Sequence, residues 1–195
     1  MSELSLRIRP LDAYLAAAVE APETRVTQLA TPFFERGAVF LITARTGSRP
    51  LLFTVGLAEP DFAVLLESDA EAFGELAARA GVRLETPGDR AAYAGTFLAA
   101  TRAFDRTFTV VHSVDDIVVR PSPSEEAAAR FAEMRAAHGA AIEPPTLSDD
   151  APWLYRLFAL RGRELVRIEL TLHRDGRVTT REAVLARALP VAYTL

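Results

Sequence analysis

The feature that most constrains this chain is a strict alternation near its end. Val166, Ile168, Leu170 and Leu172 are apolar, while Arg167, Glu169, Thr171 and His173 are polar. A period of two turns one set toward a core and the other toward water, so the stretch reads as a β-strand. It stops at Arg174-Asp175-Gly176, and that turn sets the register of the next strand. A three-residue loop with Gly176 left-handed pairs His173 with Arg177, Leu172 with Val178, Glu169 with Arg181 and Val166 with Val184. A two-residue Asp-Gly turn would set Glu169 against Glu182, a like-charge pair that is disfavoured. Upstream, Gly162-Arg163 fits a type II′ turn and pairs Arg156 with Glu169 and Leu157 with Ile168.

The segment from Pro152 to Leu195 is therefore read as a three-stranded meander. One face carries Trp153, Tyr155, Leu157, Val166, Ile168, Leu170, Leu172, Val178 and Val184 and needs a cover. The other carries the row Arg156, Glu169, Arg181. At the end of this second face Phe158, Leu160, Leu165 and Leu185 gather, either under another piece of the chain or as a dimer contact.

Composition removes several kinds of chemistry. The chain has no cysteine, which excludes disulfides, thiolate metal sites and a cysteine nucleophile. All 22 basic residues are arginine, which excludes a lysine Schiff base or a phosphate-loop lysine and points to a GC-rich, bacterial-type genome. Met1-Ser2-Glu3 is unlike the start of a signal peptide, and the longest apolar runs, Ala38 to Ile42 and Ala13 to Val19, are too short to span a bilayer. The expectation is a cytoplasmic protein with no membrane partner. Half of the residues are apolar and a quarter charged, as in ordinary globular domains.

Earlier in the chain, Leu4, Leu6 and Ile8 alternate with polar residues and predict a short strand. Leu11 to Ala21 predicts a helix with Leu11, Tyr14, Leu15 and Ala18 on its apolar face. Glu23 to Ala30 predicts another short helix. Ala38 to Ala44 reads as a strand buried on both faces, returning after the turn Thr46-Gly47-Ser48-Arg49 as Leu51 to Leu57, with a third strand over Phe62 to Leu66. Ser68 with Glu71 is a capping box for a helix ending at Gly81. A second helix spans Asp89 to Ala103. Strands are predicted over Thr107 to His112 and Asp116 to Arg120. Ser122, Pro123 and Glu125 start a helix that runs to His138, buries Ala127, Ala128, Phe131 and Met134, and covers Tyr155, Ile168 and Leu170. The fold class is α+β: antiparallel sheets packed against helices, with the C-terminal meander. It forms one compact unit of residues 1–195, or two packed α+β halves, 1–86 and 87–195, since turn signals cluster at Thr86-Pro87-Gly88.

No residue stands out as catalytic. The three histidines, His112, His138 and His173, lack metal-ligand spacing, although His112 lies near Asp115 and Asp116. Ser148-Asp149-Asp150 reads as a polar turn before Trp153. No Gly-x-Ser-x-Gly or Gly-x-Gly-x-x-Gly occurs, and neither a metal nor a cofactor is called for. Charge is unevenly spread: residues 153–195 hold eight arginines and four acids, net +4, whereas the first 152 hold fourteen arginines and twenty-two acids, net −8. The leading expectation is a non-enzymatic binding protein that self-associates as a homodimer. A less favoured one is a nucleic-acid-associated or acidic-partner protein using Arg161, Arg163, Arg174 and Arg177. A third is an enzyme or small-ligand binder with a pocket between sheet and helix at Tyr93, His112 and Tyr155.

Overall fold

Two side chains decide how the chain begins. In the computed structural model, which describes residues 1–46, 49–104 and 107–192 (Thr46 and Arg49 by backbone alone), Ser2 accepts a hydrogen bond from the Ser5 N–H, and Asp12 accepts from those of Tyr14 and Leu15. Each caps a helix, α1 (Glu3–Ile8) and α2 (Ala13–Val19). The expected first strand is thus a helix. Leu4 and Ile8 are also four apart, so one helical turn gathers them on one face as readily as a strand would, and leaves Leu6 outside. The face of α2 agrees with expectation in part: Ala18 is buried and Leu15 packs on the core, but with Asp12 as cap Leu11 lies outside the helix, Tyr14 is exposed, and Ala16 is buried instead. The Ser5 hydroxyl donates to the Ala16 carbonyl at 2.9 Å and ties the two helices together.

The segment expected as a short helix after Glu23 is instead β1 (Arg25–Gln28), paired antiparallel through Val26↔Ile42 and Thr27↔Leu41. A partner strand offering a full ladder overrides the weak helical pattern of four exposed residues. With β2 (Gly37–Thr46), β3 (Arg49–Ala58) and β4 (Phe62–Leu65) it forms a four-stranded antiparallel sheet in the order β1-β2-β3-β4. Gly47 and Ser48, of the expected turn, lie outside the described residues.

Ile42, Ala44, Phe53 and Val55 on one face pack with Ile8, Ala16 and Ala18 beneath α1 and α2. The other face takes α3 (Ala70–Ala80), and α4 (Pro87–Thr101) adjoins it. Helices on both faces explain why β2 reads as almost continuously apolar. The helix α3 lies so close to the sheet that a Cβ on Gly37 would stand 2.5 Å from the Cβ of Ala80, and one on Gly56 would run into Leu76. Only glycine fits there.

Asp69 caps α3, accepting from the Ala72 N–H at 2.8 Å, rather than Ser68, whose φ is 57°. Thr86 and Asp89 form a reciprocal capping box with Pro87 in the first turn, so the turn signals at Thr86-Pro87-Gly88 open α4. Between these helices and the 33–36 segment, Phe33, Phe34, Phe73, Tyr93 and Phe97 meet edge to face. The Tyr93 hydroxyl donates to the carbonyl of Gly176, whose φ is 83°. Residues His173–Val178 accordingly form one compact unit with Met1–Phe104, and Asp105–Leu172 with Thr179–Leu195 form a second.

The second unit is built on the meander. Its strands are β5 (Phe108–Val111), β6 (Thr146–Leu147), β7 (Trp153–Arg161), β8 (Glu164–Leu172) and β9 (Val178–Ala186), in the order β5-β7-β8-β9 with β6 also on β7. Arg156 faces Glu169 and Leu157 faces Ile168, as the turn chemistry predicts. Gly162 has φ 59°, and Arg163 is not among the described non-glycine residues with positive φ, which fits the type II′ turn. At the next hairpin His173 donates to the Arg177 carbonyl at 2.9 Å, so the three-residue loop is also present.

Trp153, Leu157, Val166, Ile168, Leu170 and Leu172 are buried, but Val184, expected with them, is 36% exposed. It lies on the edge strand β9, whose residues Thr179–Glu182 are also exposed. The helix α5 (Glu125–His138) differs from expectation in two ways. Its cap is Ser124, which has the extended backbone of a cap and accepts from the Ala127 N–H, not Ser122, whose φ of 52° is left-handed. It also covers the other sheet face: Met134 and Phe131 pack with Phe158 and Leu165, and Ala128 is exposed. The strand expected over Asp116 to Arg120 is a 3-10 turn, Val114–Asp116, followed by a single bridge from Val119 to Val191.

Candidate interaction surfaces

The residues singled out by sequence are distributed over both units. Arg161 pairs with Glu182 at 2.7 Å and Glu164 at 3.7 Å. Arg163 donates to the carbonyls of Leu189 and Ala188 at 3.1 and 3.2 Å, which holds the chain after β9. Arg174 and Arg177 belong to the first unit, where an Arg177 terminal nitrogen lies 3.4 Å from the His173 ring and Arg174 is exposed. The four arginines therefore form no cluster within either unit. Phe158 and Leu165 are buried and Leu160 and Leu185 half-buried, all in the core under α5 with Val111, Ile142, Leu189 and Val191.

Tyr93 is wholly buried in the first unit, and burial, with the nearby Asp175 charge, raises its pKa above the ordinary phenol range. His112 and Tyr155 belong to the second unit. His112 is exposed at the end of β5, and Tyr155 is half-buried, its phenol pKa raised by desolvation. The neighbouring carboxylates serve the backbone and a cation: Asp116 accepts from the His112 and Ser113 N–H groups at 2.7 and 3.0 Å, and Asp115 pairs with Arg135 at 2.9 Å. Ser148 accepts from the Leu154 N–H at 2.8 Å, making the polar turn into β7. Among the described residues no group of three or more histidines and acids could hold a metal ion.

Two exposed surfaces among the described residues stand apart from these. The first is on the second sheet, beyond the part α5 covers. Arg156 and Arg167 both direct their Nε atoms at the same oxygen of Glu169, at 3.2 and 3.5 Å. Glu169 is 17% exposed, and each arginine keeps both terminal nitrogens free of hydrogen bonds among the described residues. Alternation places these arginines on the face of Phe158 and Leu165, and Arg181, four residues before Leu185, joins them on β9. Arg181 is exposed and makes no hydrogen bond or ion pair among the described residues. The alternation made Arg156, Glu169 and Arg181 legible as one row. The share of Arg167 in it was not.

The second surface comprises α1, α2 and the neighbouring edge strand β1. Of seven large apolar side chains exposed among the described residues, four are here: Leu6 at 53%, Leu11 at 44%, Tyr14 at 59% and Val26 at 41%. Val26 stands opposite Ile42, so it shares the sheet face on which these helices pack. The same segments carry exposed acids, Glu3, Glu20 and Glu23, and exposed arginines, Arg9 and Arg25, so charges of both signs accompany them. Sequence reasoning missed this surface because it assigned Leu6 to a strand and buried Leu11 and Tyr14. The usable signal was Asp12, a helix cap that excludes Leu11 from the helix.

Comparison of the chain with protein-family models, with curated proteins and with solved structures found no match. Among the described residues no helix is long and apolar enough to cross a membrane.

Proposed function

We propose that this is a non-enzymatic binding protein that works as a homodimer, joined through the exposed surface of α1, α2 and β1. The observation carrying this reading is the exposure of Leu6, Leu11 and Tyr14 on the helix pair α1 and α2 and the turn between them, with Val26 exposed on β1 of the sheet they pack against. Single exposed apolar residues are ordinary, but several on one side favour removal from water by a partner. A second copy suits the surface because a two-fold contact must complement itself. A border that carries both acids and arginines can do so, whereas one of a single sign would repel its own copy.

The test is the molar mass measured by sedimentation across a concentration series. The expected species at high concentration has twice the 21.2 kDa mass of the chain. Replacing Leu6→Glu and Leu11→Glu together, both at exposed positions, should weaken self-association at least about tenfold, equivalent to about 1.4 kcal/mol. A chain that stays monomeric at its highest attainable concentration, or a double variant that dimerises like the parent, would overturn the proposal.

A further inference from the structure

We infer that the open part of the second sheet, at Arg156, Arg167 and Arg181, is a docking surface for an extended acidic peptide segment. This rests on a different unit and different residues from the self-association surface, so the two ideas stand or fall separately. Part of the C-terminal arginine excess is consumed inside the fold: Arg161 and Arg187 pair with Glu164, and Arg163 is bound to backbone carbonyls. On this face it is not. One carboxylate, Glu169, is shared by two guanidinium groups that approach it through Nε alone, and Arg181 beside them lacks any counter-ion among the described residues. The local balance is three positive charges against one negative charge.

A guanidinium whose terminal nitrogens are free offers the planar fork that receives a carboxylate through two parallel N–H donors. Glu169, drawn between two arginines, also orients them and limits the entropy they lose on binding. Neighbouring strands stand about 4.8 Å apart and alternate residues of a strand about 7 Å apart, a spacing that carboxylates along an extended peptide can follow. A nucleic-acid strand fits less well. The face bears Leu154, Thr171 and Thr179 where base stacking would need aromatic rings. The unit as a whole has ten arginines against twelve acids, net −2, which opposes a polyanion at long range.

The experiment measures binding of a fluorescent oligoglutamate peptide to the full chain by anisotropy at low salt, with a single-stranded oligonucleotide of equal charge as the competing probe. Arg181→Ala should weaken peptide binding about fivefold, the size of one exposed charge-assisted contact. Glu169→Gln removes the internal competitor and should tighten binding, by about fivefold more than Glu125→Gln, which changes net charge equally but lies on α5. Circular dichroism of each variant establishes that it is folded, and exposed Arg181 keeps the test decisive if Glu169→Gln unfolds. An unchanged affinity in Arg181→Ala, equal effects of the two glutamine variants, or tighter binding of the oligonucleotide than of the peptide would each overturn the inference.

Discussion

Asp89 and Asp116 are among the carboxylates of this protein that hold the backbone through its N–H groups. Asp89 accepts from the Thr86 N–H and hydroxyl at 3.0 and 2.8 Å, and Asp116 from the N–H groups of His112 and Ser113. These bonds favour the charged form and hold both groups below the usual aspartate range. Because the folded pKa is the lower one, the stabilisation is fully present above the unfolded value of about 3.9 and is lost as pH falls through the folded values. Urea unfolding followed at a series of acidic pH values should therefore show a declining midpoint. In Asp89→Asn with Asp116→Asn the midpoint should start lower at neutral pH and decline less on acidification. An acid limb as steep in the double variant as in the parent would show that other groups govern it.

Helix starts are the element-scale feature on which sequence and structure disagree most usefully. Ser124 accepts from the Ala127 N–H at 3.3 Å, whereas Ser122 stands at φ 52° before Pro123. Thermal or urea unfolding should show Ser124→Ala losing about 1 kcal/mol. Ser122→Gly should be neutral or gain up to about 1 kcal/mol by relieving a left-handed conformation, despite the higher entropy of its unfolded chain. The reverse ranking would restore Ser122 as the cap. Elements with a long pattern and a decisive turn were legible from residues alone: β7 and β8 through Gly162 and the alternation to Leu172, β2 and β3 through their apolar runs. Elements short enough to satisfy both periods were not. Leu4 and Ile8 fit a strand and a helix equally, and the four exposed residues of β1 carry no face pattern until β2 supplies a ladder. The open arginine row followed from register. The apolar side of α1 and α2 did not, because it depends on which way a seven-residue helix is turned.

At the scale of the whole molecule, sequence order and spatial grouping part company. The first unit is assembled from Met1–Phe104 and the short return His173–Val178, while the strands on either side of that return belong chiefly to the second. Gly176 enters the first unit beside Ala77, Val82 and Tyr93, and a Cβ there would lie 3.0 to 3.2 Å from all three. Removing the hydroxyl with Tyr93→Phe leaves the buried Gly176 carbonyl without its side-chain donor and should cost about 1–3 kcal/mol in urea unfolding. A cost near zero would mean that the hydroxyl contributes little to holding the return segment. The arrangement also bears on synthesis, in which domains are generally completed from the N-terminus onward. The ribosome releases the first 104 residues well before the six that finish their unit. Until residue 178 has cleared the exit tunnel, the nascent N-terminal part must wait with the phenol of Tyr93 lacking its acceptor, so maturation of the earlier-made portion is timed by the later one.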